Sequence, residues 1–108
     1  MKTVVLLNQD QMGHGDGALS RRILKTFLQK AIALKDLDAI LMVNSGVKLS
    51  GPGSEVLGEL TMLEDQGVDM VPCGTCLNHY DVTPAVGKVG SMDEIIAAMS
   101  KAEKVITL

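Results

Sequence analysis

The spacing of apolar positions changes several times along the chain, and each change marks an element. Residues 3–8, TVVLLN, are a short β-branched and leucine run with polar flanks, as expected of a strand buried on both faces. From Asp16 to about Lys35 the period lengthens. Leu19, Ile23 and Phe27 recur every four residues, with Leu24, Leu28, Ala31 and Ile32 beside them, which predicts an amphipathic helix. DAILMVN (38–44) returns to the strand pattern, and SGVKLSGPGS after it reads as a loop from its Gly, Ser and Pro content. Ser54 is placed to cap a helix through about Gln66, with Val56, Leu57, Leu60 and Leu63 as the buried stripe and Gly67 as the stop. VDMVP is a third strand and AVGKVG a short fourth. SMDE then opens a helix in which Ser91 and Glu94 have capping-box spacing, and KVITL is the last strand.

Strands that alternate with helices in this way form βαβ units, and so a parallel sheet covered on both faces. The expected fold is α/β, a three-layer α/β/α sandwich with a mainly parallel sheet of about five strands and a flavodoxin-like appearance. At 108 residues the chain suits one domain, 1–108, because a core of this size outweighs chain entropy without metal or disulfide help.

Composition narrows the function classes. Ten basic residues stand against thirteen acidic ones, no Lys/Arg cluster is present, and only 2% of residues are aromatic, so nucleic acid is a poor partner. The apolar run near the N-terminus is too short for a signal peptide core or a membrane span, which predicts a cytoplasmic protein. There thiols stay reduced, and two cysteines in a C-x-x-C are reactive or metal-binding rather than a staple.

Ligands of open α/β sheets bind beyond the carboxyl ends of the strands. Three unusual segments fall on that rim: NQDQMGHGDG, NSGVKLSGPGS and PCGTCLNHYD. Cys73 directly follows a predicted strand and precedes a helical turn whose free N–H groups favour negative charge. A thiolate placed there has its pKa lowered from about 8.5 to roughly 3.5–7.5 and becomes a nucleophile at neutral pH. Gly74 allows close backbone approach, and Thr75 offers a hydroxyl to a sulfur anion. His14 on the rim, with Ser45 and Lys48 in NSGVKL, are candidates for holding or steering an anion. The bland readings are a small Cys filling a strand end, and a solvated loop His and Lys.

Three chemistries compete for CGTC. A thioredoxin-like redox pair fits the placement of the first Cys, but not the intervening Gly-Thr. A metal site would use Cys73, Cys76 and His79, with His14 as a fourth ligand, all donors suited to zinc. A persulfide carrier would load sulfane sulfur on a thiolate and use Cys76 to resolve the product by thiol exchange. A c-type haem would need His at position 77, where Leu77 stands, and GHGDG lacks the G-x-G-x-x-G spacing of a dinucleotide loop. No cofactor is therefore expected.

The segments VNSGVKLSGPGSEVLGEL, LEDQGVDMVPCGTCLNHYDV and AVGKVGSMDEIIAAMSKAEKVITL together resemble the DsrE/DsrF-like sulfur-relay family. The closest resemblance is to the C-terminal DsrE-like domain of the YedF-type, sulfurtransferase-like selenium-metabolism proteins. It covers essentially the whole chain and implies an oligomeric α/β/α domain. Cys73 stands where relay members carry sulfur as a persulfide, and Cys76 is the second cysteine of the YedF-type CGTC pattern. Full YedF-type chains also carry an N-terminal TusA-type domain. This sequence starts at the DsrE-like strand, so the resemblance implies donor and acceptor proteins on other chains, a separate TusA-like protein among them. Ser91-Met92 replaces the family's Asn-Met pair, which keeps the helix cap but alters the rim.

Overall fold

The computed structural model of the protein describes residues 3–108. The two most apolar runs become the centre of the sheet. β1 (Thr3–Leu7) and β2 (Leu37–Met42) lie between β3 (Asp69–Pro72) and β4 (Lys104–Thr107) in the order β3-β2-β1-β4, and every pairing is parallel. Val4, Val5, Ile40, Leu41 and Met42 have no accessible surface, which is what continuous rather than alternating hydrophobicity requires of strands covered on both faces.

Parallel neighbours need crossover connections, and these are right-handed. α1 (Gly17–Lys30) and α2 (Leu57–Asp65) carry the chain stepwise from β1 to β3, so they share one face, where they pack together. α4 (Met92–Lys101) carries it back past β1 to β4 and covers the other face. The chain is an α/β fold with helices on a parallel sheet of four strands, one fewer than the pattern suggested.

The missing strand is AVGKVG. Residues 85–90 run along the outer edge of β3, with Lys88 N–H donating to Met70 O at 3.0 Å and Gly90 N–H to Pro72 O at 3.0 Å. Only one bridge forms, between Cys73 and Gly90. Gly87 breaks the extension: its φ is +83°, and a Cβ there would lie 2.5 Å from the Met70 carbonyl oxygen. The segment thus seals one sheet edge without becoming a strand. Among the described residues no further strand pairs with the other edge, β4, whose Val105 is 40% exposed.

Capping signals translate into structure. Asp16 Oδ2 accepts from Leu19 N–H at 2.9 Å at the start of α1, and Ser91 and Glu94 form the reciprocal capping box of α4. α1 rotates relative to the predicted stripe. Ser20, Leu24 and Leu28 face the sheet while Leu19 and Ile23 are about half exposed. The buried row lies one residue, about 100° of helix turn, on from Leu19, Ile23 and Phe27, and continues to the buried Ala31. α1 ends at Lys30 and a 3-10 turn, Ala31–Ala33, replaces its expected last turn.

The predicted loop after β2 is a 3-10 segment, Asn44–Ser50, with Val47 fully buried. It is pulled against β1: a Cβ on Gly46 would fall 2.4 Å from the Leu7 carbonyl oxygen, a distance only glycine permits. Ser54 lies ahead of α2 instead of capping it, and its hydroxyl accepts from Val56 N–H at 3.3 Å. Gly67, at φ +97°, ends α2 as expected.

Candidate functional site

The site begins where β3 stops. Cys73 N–H donates to Met42 O at 2.9 Å, continuing the ladder by one bond, and its extended backbone occupies the N-cap of α3 (Gly74–Tyr80). Gly74 N–H is taken by Gly90 O at 3.0 Å, so the edge segment and the helix start are tied together. The Cys73 side chain is only 2% exposed. Burial is the largest single influence on its thiol and pushes the pKa up. Hydrogen bonding from the Cys76 N–H and thiol, and from the Thr75 N–H and hydroxyl, outweighs it and leaves the pKa below the ordinary thiol value.

Cys76 is one turn further on and differs in every respect. It is partly exposed, and burial together with the hydrogen bond and negative charge of Cys73 raises its pKa. A contact with the backbone of Asn44 opposes the rise without cancelling it: Asn44 N–H donates to Cys76 Sγ at 3.1 Å. Asn44 is positioned for this by a left-handed backbone, φ +52°, at the turn from β2 into the 3-10 segment. Its side-chain oxygen accepts from the Tyr80 hydroxyl at 2.9 Å. Tyr80 in turn meets His79 edge-on, with ring centroids 4.8 Å apart, and carries Lys48 Nζ 4.5 Å above its own ring.

These residues enclose a cleft of about 440 Å³ lined by Val43, Asn44, Thr75, Cys76, His79 and Tyr80. Cys73 does not line it. The arrangement therefore presents one thiol to a cleft and holds a second, more acidic one behind it. A thiolate stabilised by helix-start donors beside a protonated thiol is suited to sulfur exchange.

The other sequence candidates are distributed as follows. Thr75 lines the cleft and Gly74 lies in the same turn. Lys48 reaches it through Tyr80. Ser45 instead pins the loop after β1, its hydroxyl accepting from Asp10 N–H at 3.2 Å. His14 is exposed in that loop and lines neither this cleft nor the one beside α1. Among the described residues no group of three or more His, Cys, Asp or Glu side chains is arranged to hold a metal ion, so the set Cys73, Cys76 and His79 gains no support from geometry. Asn44 and Val43 were not singled out from the sequence. An Asn immediately after a buried strand and before Ser-Gly is a left-handed-turn signal that points to Asn44.

Fold and thiol turn together define a class: a parallel α/β domain with a C-x-x-C turn at the carboxyl end of its third strand. The DsrE/DsrF-like family model matches residues 1–108, and the chain belongs to that family, which is associated with sulfur relay. Three solved structures share the fold. The ychN protein of E. coli superposes with a TM-score of 0.73 at 24% identity over 100% of both chains. MTH1491 of Methanobacterium thermoautotrophicum, a protein of unknown function, gives 0.69 at 18% identity over 95% of this chain and 97% of its own. BT1422 of Bacteroides thetaiotaomicron, also of unknown function, gives 0.68 at 15% over 99% and 95%. None of the curated proteins matches the chain significantly.

Proposed function

We propose that this chain is a single DsrE-like domain of the YedF type that relays sulfur or selenium as a persulfide or its selenium analogue on Cys73. The observation that carries the reading is the placement of Cys73 at the start of α3, one turn before a second thiol and behind a cleft, where the neighbouring donors favour its anion. In the loading step the Cys73 thiolate attacks the outer sulfur of a donor persulfide. A new S–S bond forms on Cys73, the donor's S–S bond breaks, and the donor leaves as a thiolate that takes up the proton. The Thr75 hydroxyl and the N–H groups of Thr75 and Cys76 stabilise the sulfur anion, the Gly74 N–H being taken by Gly90 O. In unloading, an acceptor thiolate attacks the outer sulfur and regenerates Cys73. Where Cys76 attacks the inner sulfur instead, hydrosulfide leaves and a Cys73–Cys76 disulfide remains, which a dithiol reductant reopens.

Donor and acceptor are proteins presenting a thiol, with a TusA-like protein as the partner the family resemblance implies. No helix among the described residues is long and apolar enough to cross a membrane, in keeping with a cytoplasmic relay. Val89, Met92 and Ile96, 46–56% exposed, leave aliphatic side chains uncovered on and just before α4, and among the described residues no strand lies beyond β4. Both features suit a homo-oligomer that buries them.

The test is intact-protein mass spectrometry of wild type, Cys73→Ser and Cys76→Ser after anaerobic incubation with a persulfide donor and, separately, a selenium donor. Wild type and Cys76→Ser are expected to gain a reducible chalcogen atom and Cys73→Ser none. Full loading of Cys73→Ser would refute the assignment. A second reading, a thiol-redox pair, is favoured by the opposite pKa shifts of the two cysteines. It predicts a reversible internal disulfide and no mass gain.

A further inference from the structure

A second cleft of about 450 Å³ lies beside the first turns of α1, on the same rim as the cysteine cleft. Its floor is apolar: Leu24, Leu49 and Val56 are 1%, 8% and 3% exposed. Its walls carry Arg21, Arg22, Lys25 and Lys48 against the carboxylates of Asp10 and Glu55. That is a surplus of two positive charges in a chain whose net charge is −3. Arg21 is partly engaged, with Nε 3.8 Å from Glu55 Oε1. Arg22, Lys25 and Lys48 have no carboxylate within 4.0 Å among the described residues. Lys25 is also only partly exposed, and an ammonium that loses water without gaining a counter-charge is held at a cost. Ser54, also in the lining, uses its oxygen to accept from Val56 N–H, which leaves its O–H free to donate.

We propose that this cleft binds a small organic dianion, specifically a phosphomonoester with an apolar body. The surplus of two charges matches a phosphomonoester, which carries about −1.5 to −2 near neutral pH. Guanidinium forks fit phosphate oxygens in pairs, and the lysines add point charges. The apolar floor takes the carbon body, and the volume lies in the roughly 300–1,000 Å³ range of small-ligand sites. No cysteine lines the cleft, so the site stands or falls independently of the relay chemistry. Lys48 is the residue the two regions share, lining this cleft while its Nζ lies over Tyr80 of the other.

Titration of isotope-labelled protein with phenyl phosphate, followed by amide chemical shifts, tests the proposal. Saturable shifts are expected at Ala18, Leu49 and Val56, weaker with inorganic phosphate and absent with phenol. The double variant Arg22→Gln/Lys25→Gln should bind at least about tenfold more weakly, the loss expected when charged hydrogen bonds to phosphate are removed. Glu55→Gln, which frees Arg21, should bind more tightly. Affinity should fall between about pH 7.5 and 5.5 as the second phosphate oxygen is protonated near pKa 6. No saturable shift at those amides would overturn the proposal. So would wild-type affinity in a double variant whose spectrum is otherwise unchanged, or equal binding of inorganic phosphate and phenyl phosphate.

Discussion

Cys73 and Cys76 are three residues apart on one turn, yet they occupy different chemical worlds. Cys73 sits at the end of β3 among the core side chains, 2% exposed, and its pKa is lowered. Cys76 faces the cleft, and its pKa is raised. Solvent exposure alone would make Cys76 the reactive thiol. Local hydrogen bonding says the reverse, because the donors at the start of α3 favour the anion on the first cysteine and that anion then disfavours a second one nearby. The pair is therefore asymmetric by construction, with the thiol whose anion is favoured at the back and the more accessible one in front.

The largest effect expected is on loading itself: Cys73→Ser abolishes chalcogen uptake measured by mass spectrometry, while Cys76→Ser retains it. Reagent size sharpens the contrast next. A bulky maleimide should modify Cys76 at least about tenfold faster than Cys73, and a small thiosulfonate should narrow or invert the ratio as access ceases to limit the more ionised thiol. Comparable rates for both cysteines with both reagents would dissolve the asymmetry.

Smaller effects probe what holds the cleft. Gly46→Ala forces a Cβ against the Leu7 carbonyl and displaces the segment that carries Asn44, so chemical denaturation should show a loss of about 2–4 kcal/mol. Tyr80→Phe removes the bond to Asn44 and should cost about 0.5–1.5 kcal/mol. It should also move the Cys76 pKa further up, because the Asn44 N–H that opposes the rise is less firmly held. Lys48→Met loses the contact with the Tyr80 ring, worth about 0.5–1 kcal/mol at an exposed site. An unchanged Cys76 titration in Tyr80→Phe would remove Asn44 from the account.

Elements whose physics is local were legible in the sequence. The continuous apolar runs of β1 and β2, the Ser91/Glu94 box and the Gly67 stop each express a preference carried by a few adjacent residues. The position of Cys73 between a strand and a helix start was legible for the same reason. What the pattern could not show depends on distant partners. AVGKVG alternates like a strand, but the Met70 carbonyl decides that Gly87 must turn away. The rotation of α1 is decided by the sheet it covers. Cys76 also takes a bond from Asn44, thirty-two residues away in sequence, which tempers the split between the two thiols, and no local spacing announces that contact. The cationic cleft likewise gathers α1 and the segment after β2: Arg21, Arg22 and Lys25 are neighbours in sequence, but only the fold brings Lys48, Leu49 and Val56 to them.

The most direct test of the asymmetry is an ultraviolet thiolate titration of Cys76→Ser, in which Cys73 is the only thiol and the serine hydroxyl still donates to it. The account predicts ionisation at lower pH than the same thiol shows in the unfolded chain. Ionisation at or above that pH would mean that burial outweighs the helix-start donors, and Cys73 would lose its standing as the nucleophile.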